Sequence, residues 1–136
     1  MKKFIIIVFL IFSIKAYAHG TVKILGVEHE KGFIDLKIYL DKDSFLKEEL
    51  AFESVRKKPS KGETVIPLTK VHEGMMAVVI YHDENSDGEL NRGFFWKPQE
   101  GFAFSNFYTP KGLPKFKKAA INVIHGSQIV IALNYK

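Results

Sequence analysis

The residue types that could do chemistry are densest in the loop YHDENSDGEL, residues 81–90. Asp83, Asn85 and Asp87 alternate along it, and Gly88 follows them directly. Calcium prefers about six to eight hard oxygen ligands arranged around a sharply turned loop. The three side chains match the first, third and fifth ligand positions of such a loop, and Gly88 matches the residue at its sharp turn. The spacing therefore predicts a calcium-binding loop.

The remaining ligands of that loop are less complete. Glu89 would offer its backbone carbonyl, and Asn91 stands where a water-mediated ligand often occurs. The position of the bidentate glutamate is taken by Phe94, so a distant carboxylate has to replace it, and Glu100 is the candidate. With so few local carboxylates we expect weak calcium binding, with a Kd on the order of 10⁻⁴ to 10⁻³ M. The alternative is a hairpin loop without an ion, because Asp and Asn also favour turns by bonding their own backbone.

Histidines and aromatic residues offer two further kinds of site. His19 would be the N-terminal residue if the chain were cleaved after Ala18, and an N-terminal histidine can chelate copper through its amine and its ring. That chemistry needs a second, facing histidine, which the sequence does not place. In the aromatic-rich segment 94–108, Trp96 and Tyr108 are candidates for binding a sugar or a peptide. Packing within the fold is the alternative for both.

Several catalytic classes have no signature in this chain. It contains no cysteine, which excludes disulfides, a thiol nucleophile and a zinc–thiolate site. Neither a G-x-S-x-G motif nor a phosphate-binding glycine loop occurs. A carboxylate pair for glycoside hydrolysis stays open, because such pairs follow no spacing rule.

The first eighteen residues have the three parts of an export signal. Lys2 and Lys3 precede an apolar run, 4–14, which only Ser13 interrupts, and Ala16-Tyr17-Ala18 follows as a cleavage site. The run is shorter than the roughly 20 residues of a transmembrane helix. We therefore predict a signal peptide, 1–18, and a single mature domain, 19–136. The protein would be periplasmic or secreted, with no integral membrane segment after cleavage.

The charge of the mature chain argues against nucleic acid as a partner. Three of the 20 basic residues lie in the predicted signal peptide, which carries no acidic residue. The net charge therefore falls from +5 for the whole chain to +2 for the mature one. Such a small charge gives little electrostatic steering toward a phosphate backbone.

The elements that must position these residues are strands. Apolar residues alternate in FIDLKIYL, 33–40, which indicates a half-buried strand, and 21–29 is interpreted as its hairpin partner. Pro67 predicts an edge position for strand 64–71, whereas the uniformly apolar 75–82 suits a central strand. Strands 119–125 and 128–135 are predicted on either side of a tight turn. The sequence also predicts a helical turn at 43–50, capped by Asp43 or Ser44, and a basic loop at 56–63. The pattern predicts an all-β, antiparallel β-sandwich of about seven strands, immunoglobulin-like or transthyretin-like.

The segment GMMAVVIYHDENSDGELNRGFFWKPQEGFAFSNF resembles the exported bacterial β-sandwich family catalogued as domain of unknown function 2141. The chain departs from the family pattern at Asn91, where the family usually has aspartate, and at Trp96, where it usually has a small residue. The resemblance implies the fold and export, and it implies no catalytic role. The matching residues are His82, Asp83, Glu84, Asn85, Gly88, Leu90, Pro98, Glu100, Gly101, Phe104, Ser105 and Asn106, followed by Pro114 and Phe116.

Together these observations predict an exported, non-enzymatic binding or structural module with a weak calcium loop. Its partner would be an unidentified ligand or an envelope protein. One alternative is an enzyme, either carbohydrate-active or a copper-dependent oxidase that uses His19. The other is an envelope or adhesion interaction domain that binds through Trp96 and Tyr108.

Overall fold

The computed structural model describes residues 19–71, 73–88 and 100–135. Strands dominate this part of the chain, and helical structure is limited to the 3-10 turn Glu48–Leu50 and the short helix α1, Phe116–Ala119. No helix of the described ranges is long and apolar enough to cross a membrane. The strands are β1 (Gly20–Val27), β2 (Phe33–Tyr39), β3 (Glu53–Lys57), β4 (Gly62–Leu68), β5 (Gly74–Asp83), β6 (Phe102–Phe104), β7 (Ile121–Val123) and β8 (Gln128–Ala132).

The eight strands form two sheets, which confirms the predicted all-β, sandwich-like fold. The smaller sheet has the order β4-β1-β8, in which β1 runs antiparallel to β4 and parallel to β8. The larger sheet has the order β3-β2-β5-β6, and β7 pairs with the first residues of β5. All pairings in the larger sheet are antiparallel. The β1–β8 pair is therefore the one parallel pairing among the described strands.

The core lies where the apolar faces of the strands meet. Val22 and Ile24 of β1 are fully buried and alternate with half-buried residues, as a half-buried strand requires. In contrast, every residue of β5 from Met76 to Asp83 is buried. This continuous burial confirms its predicted central position, and it also places the polar end of β5 inside the protein.

Two predicted hairpins are wrong. Residues 21–29 were expected to pair with 33–40, but β1 and β2 lie in different sheets. Likewise β7 pairs with β5 and β8 pairs with β1, so the strands around the turn at residues 126 and 127 are not partners. Alternation indicates which face of a strand is buried, whereas the partner is chosen by contacts far away in sequence. The predicted edge position of the Pro67 strand is confirmed, because β4 ends the smaller sheet.

Two local predictions also need correction. Part of the predicted basic loop 56–63 belongs to β3, which was missed because Val55 is its only apolar residue. The three-residue strand β6 is too short to show a period. In the turn at residues 41–46, Asp41 accepts hydrogen bonds from the N–H groups of Asp43 and Ser44, at 2.9 and 2.8 Å. Asp41 therefore caps this turn, two residues before Asp43 and three before Ser44, the predicted caps.

Candidate functional site

A charged cluster lies where β5 ends beside β2 and β3. The antiparallel register sets Arg56 of β3 opposite Asp35 of β2, and Asp83 of β5 opposite Phe33 of β2. The Arg56 guanidinium bonds the carboxylates of Asp35 and Asp83, with N–O distances of 2.5 and 2.7 Å. It also stacks over the ring of Phe33, 4.2 Å from the centroid. One arginine thus neutralises two buried carboxylates from two different strands.

The electrostatics of this cluster follow from burial. Removal from water raises the pKa of Asp35, although Arg56 counteracts this shift. The pKa of Arg56 is raised, chiefly by its hydrogen bond with Asp83. Burial also raises the pKa of Tyr81, so its hydroxyl stays neutral and donates to the Gly88 carbonyl at 3.5 Å. The cluster therefore combines one permanent cation, Arg56, with the two carboxylates that it bonds and with a neutral tyrosine hydroxyl.

The acidic loop that follows is closed by its own backbone. Asp83 accepts hydrogen bonds from the N–H groups of Asp87 and Gly88, at 3.1 and 2.9 Å. Asn85 accepts from the same Asp87 N–H at 3.2 Å, and its amide donates to the Asp87 carboxylate at 2.9 Å. The oxygens of Asp83 and Asn85 thus converge, as predicted for a calcium loop, but they converge on a backbone N–H. Asn85 and Asp87 are exposed, whereas Asp83 is fully buried.

Of the other predicted calcium ligands, only Glu100 lies within the described residues. Glu100 comes to the loop as expected: it is buried, and its carboxylate accepts from the N–H of Glu84 at 3.0 Å. Glu84 in turn accepts from the N–H of Gly101 at 3.4 Å. These bonds tie the two ends of the loop region together. Glu89 and Asn91 lie outside the described residues, and the ion itself stays a prediction.

His82 lies fully buried beside the charged cluster, and both of its ring nitrogens are engaged. Its Nε2 contacts the backbone carbonyl of Lys31 at 2.5 Å, and its Nδ1 contacts the hydroxyl of Tyr135 at 2.7 Å. A carbonyl can only accept, so Nε2 carries the proton and Nδ1 accepts from Tyr135. The same hydroxyl accepts from the N–H of Glu28 at 3.3 Å. His82 is thereby fixed in one tautomer.

His29, His82 and Glu84 together have the spacing of a metal site. Each offers one ligand atom, and these atoms lie within 4.8 Å of one another. However, the His29 Nε2 contacts the Glu84 carboxylate at 3.1 Å, and its Nδ1 accepts from the N–H of Lys31 at 3.3 Å. With His82 also engaged at both nitrogens, a metal would have to break at least one hydrogen bond per histidine. The cluster is better described as part of the polar network.

His19 does have a histidine facing it. Its ring centroid lies 5.4 Å from that of His125, with an interplanar angle of 67°. The backbone N–H of His19 donates to the carbonyl of Leu68 at 3.0 Å, and its carbonyl accepts from Gly126 at 2.9 Å. These bonds place the start of β1 beside the turn before β8. The second histidine, which the sequence could not place, is therefore His125.

The two predicted surface aromatics differ in status. Trp96 lies outside the described residues. Tyr108 is half-buried and packs against Phe104, with 5.7 Å between ring centroids, and its hydroxyl accepts from the N–H of Lys115 at 3.2 Å. Tyr108 thus stabilises its own loop. Phe104 is buried, and the half-buried Phe102 packs beside it.

Sequence reasoning missed four members of the network: Asp35, Arg56, His29 and Tyr135. Arg56 was assigned to a loop because it precedes a basic run. Asp35 alternates with the apolar residues of 33–40, a pattern that favours a solvent-facing position for it. Only Asp35 lies in a pattern that alternates with apolar residues, so no signal in the sequence pairs it with Arg56. Across the described residues, every buried side-chain nitrogen and oxygen atom has a hydrogen-bond partner.

The fold and this closed network define a small all-β, sandwich-like domain. The chain belongs to the family described as uncharacterized protein conserved in bacteria, DUF2141, whose model matches residues 22–131. The resemblance expected from the residues between Gly74 and Asn106 is thereby confirmed. No curated protein and no solved structure matches the chain.

Proposed function

We propose that the protein is an exported, non-enzymatic binding or structural module. The observation that supports this most is the saturation of the polar network around His82 and Asp83. A general acid or base needs an atom that can reach a substrate proton, and a nucleophile needs a free lone pair. Here the two histidine nitrogens and the Asp83 carboxylate already bond protein groups. Their role is to hold the ends of strands and the loops that leave them.

A pair of tyrosine variants tests this role. In Tyr135→Phe, the buried Nδ1 of His82 loses its donor, which we expect to cost about 1–3 kcal/mol of unfolding free energy. Tyr108→Phe is the matched control. Its hydroxyl bonds the N–H of an exposed residue, which water can satisfy instead, so we expect a cost of roughly 1 kcal/mol or less. Removing a catalytic group often leaves stability unchanged or higher. Unchanged or increased stability in Tyr135→Phe would therefore contradict a structural role.

Export is tested separately by the mature terminus. Intact-mass analysis of the protein recovered from the periplasm or medium should give a chain that begins at His19. Protein that stays in the cytoplasm with its first eighteen residues would contradict export. The three-part N-terminal segment supports the expected result.

Calcium binding at Asp83, Asn85 and Asp87 belongs to the same proposal. We expect its affinity at the weak end of the range predicted from the sequence. Arg56 already supplies a positive charge to Asp83, which lowers the gain from a cation. Isothermal titration should give a Kd on the order of 10⁻³ M. The variant Asp87→Ala should lose this binding, and Asp43→Ala, an exposed aspartate in another turn, should keep it. Wild-type protein that gives no calcium heat would remove the ion from the proposal.

A copper centre is the second candidate, because His125 faces His19. After cleavage, the free amine and the two rings would give three nitrogen ligands, a set that suits Cu(II). A Cu(II) titration followed by electron paramagnetic resonance should show nitrogen coordination in the mature protein. Both His125→Ala and a form with one extra residue before His19 should lose it. Equal copper binding by all three proteins would contradict this centre.

A further inference from the structure

We infer that the loop from Ser105 to Ala119 is a docking surface for a membrane of anionic phospholipids. This inference rests on the proposed function and deepens it, since it assigns a partner to the binding module. The observations that carry it are the charge of the loop, its two exposed apolar side chains, and the bonds that hold it in one shape.

The charge of this loop is positive without exception. Residues 107–118, FYTPKGLPKFKK, contain Lys111, Lys115, Lys117 and Lys118, and no acidic residue. All four lysines are exposed. Within the described part of the chain, none of them forms an ion pair with a carboxylate. Their four charges exceed the net charge of the whole mature chain, so the remainder of the surface is slightly acidic on balance.

Apolar side chains stand between these lysines in water. The side chain of Phe107 is 99% exposed and that of Leu113 is 79% exposed. Phe107 and the preceding Asn106 both have left-handed backbone angles, with φ of 51° and 62°. Two successive non-glycine residues in this region are strained, and strain of this kind concentrates at binding sites. The strain here presents a large aromatic ring away from the core.

The loop is preformed, because hydrogen bonds close its base. The Ser105 hydroxyl donates to the carbonyl of Ala119, and the Asn106 amide donates to the carbonyl of Lys118 at 3.0 Å. Further along, Tyr108 accepts from the N–H of Lys115 at 3.2 Å. These bonds fix the backbone on either side of Phe107 and at the end of the segment that carries Leu113. A rigid loop loses little conformational entropy when it binds.

A groove next to the loop extends the same kind of surface. It has a volume of about 650 Å³ and lies between the turn at residues 40–46 and residues 114–117. Leu40, Phe45 and Phe116 line it with apolar groups, and its charged lining consists of Lys42, Lys115, Lys117 and one carboxylate, Asp41. Apolar surface beside lysines therefore continues from the loop into this groove. The docking surface is therefore wider than one loop tip.

The combination of charges and apolar groups selects the partner. A row of lysines alone would fit any acidic polymer. Exposed apolar side chains among lysines fit a bilayer interface, where the rings and chains enter the acyl boundary and the ammonium groups stay with the phosphates. Lysines near an anionic membrane each contribute about a fivefold factor to partitioning. Two apolar anchors and four lysines give reversible, salt-dependent binding.

Vesicle sedimentation with the mature protein tests the inference. We expect binding to phosphatidylglycerol-containing vesicles, little binding to phosphatidylcholine vesicles, and release as salt shortens the Debye length toward about 3 Å at 1 M. Phe107→Ala/Leu113→Ala should weaken partitioning about tenfold or more, because both groups lose their buried area at the interface. Lys111→Gln/Lys115→Gln should weaken it roughly 25-fold. The controls Leu50→Ala and Lys61→Gln/Lys70→Gln change exposed residues outside the loop and should bind as wild type does.

Four results would overturn the inference. The first is equal binding to neutral and anionic vesicles, and the second is equal binding by the loop variants and the controls. The third is stronger binding to soluble polyglutamate that needs the lysines but tolerates Phe107→Ala/Leu113→Ala, because this would assign the surface to an acidic macromolecule. Absent vesicle binding together with a mature terminus at His19 would remove this partner and leave the proposed function standing.

Discussion

Replacing Arg56 with glutamine should destabilise the protein more than any single change on its surface. Arg56 is the shared partner of two carboxylates. Asp35 is almost fully buried, and Asp83 is fully buried. Arg56→Gln removes the cation and leaves two carboxylates near each other in a poorly hydrated place. Breaking a buried ion pair by removing one partner typically costs about 3–5 kcal/mol.

Two features of the structure lower this expected loss of unfolding free energy. The Arg56 side chain is 35% exposed, so water can enter the space it vacates and hydrate part of the charge. Asp83 additionally keeps the N–H groups of Asp87 and Gly88. We therefore expect a loss of about 2–4 kcal/mol. For a domain of this size each kcal/mol corresponds to roughly 3–5 °C, so Tm should fall on the order of 10 °C.

The assay is urea or thermal unfolding followed by circular dichroism, with two comparison variants. Lys23→Gln breaks the exposed pair of Lys23 with Glu63 and should cost about 1 kcal/mol or less. Arg56→Lys keeps a charge but cannot span both carboxylates with a planar fork, so it should restore only part of the loss. Equal stability of Arg56→Gln and Lys23→Gln would refute the reasoning that the cluster holds the strands together.

Three further predictions concern the same framework. Gly32→Ala should abolish soluble folding, because a Cβ there overlaps the backbone carbonyl of Asp83. The control Gly88→Ala is also at positive φ but in open space, so it should cost only about 1 kcal/mol of unfolding free energy. Soluble yield and Tm measure the two effects. Because the folded pKa of Asp35 is raised, its contribution is largest below the ordinary value of 3.8 and is lost as the pH rises through the folded pKa. As the pH rises over that window, the Tm of wild type should therefore fall relative to that of Asp35→Asn. A Tm difference that does not change with pH would contradict the raised pKa. Glu53→Gln removes a buried carboxylate that accepts three N–H bonds and one hydroxyl from the turn after β4, so unfolding should show a loss of about 1–3 kcal/mol, and an unchanged Tm would refute that role.

The sequence predicted the features that depend on local pattern. The central position of β5 and the edge position of β4 followed from continuous apolar character and from Pro67, since both effects act within a few residues. The partners of β1 did not follow, because pairing depends on contacts across the whole chain. Strand β6 has three residues, too few for a periodic signal.

The candidate site shows the same division. The alternation of Asp83, Asn85 and Asp87 predicted converging oxygens, and the oxygens of Asp83 and Asn85 do converge. The identity of the group at the centre was not predictable from spacing, because a backbone N–H and a calcium ion favour the same residue types. Asp83 is bonded by Arg56, which lies 27 residues earlier in the sequence, and His82 is bonded by Tyr135, which lies 53 residues later.

Nitrogen-15 NMR of the His82 ring at neutral pH tests the closed polar network most directly. The account predicts a proton on Nε2, a bare Nδ1 that accepts from Tyr135, and no change when zinc or copper is added. A proton on Nδ1 instead, or a His82 signal that shifts or broadens on titration with either metal, would mean that the ring is available as a ligand or base, and would contradict a purely structural role.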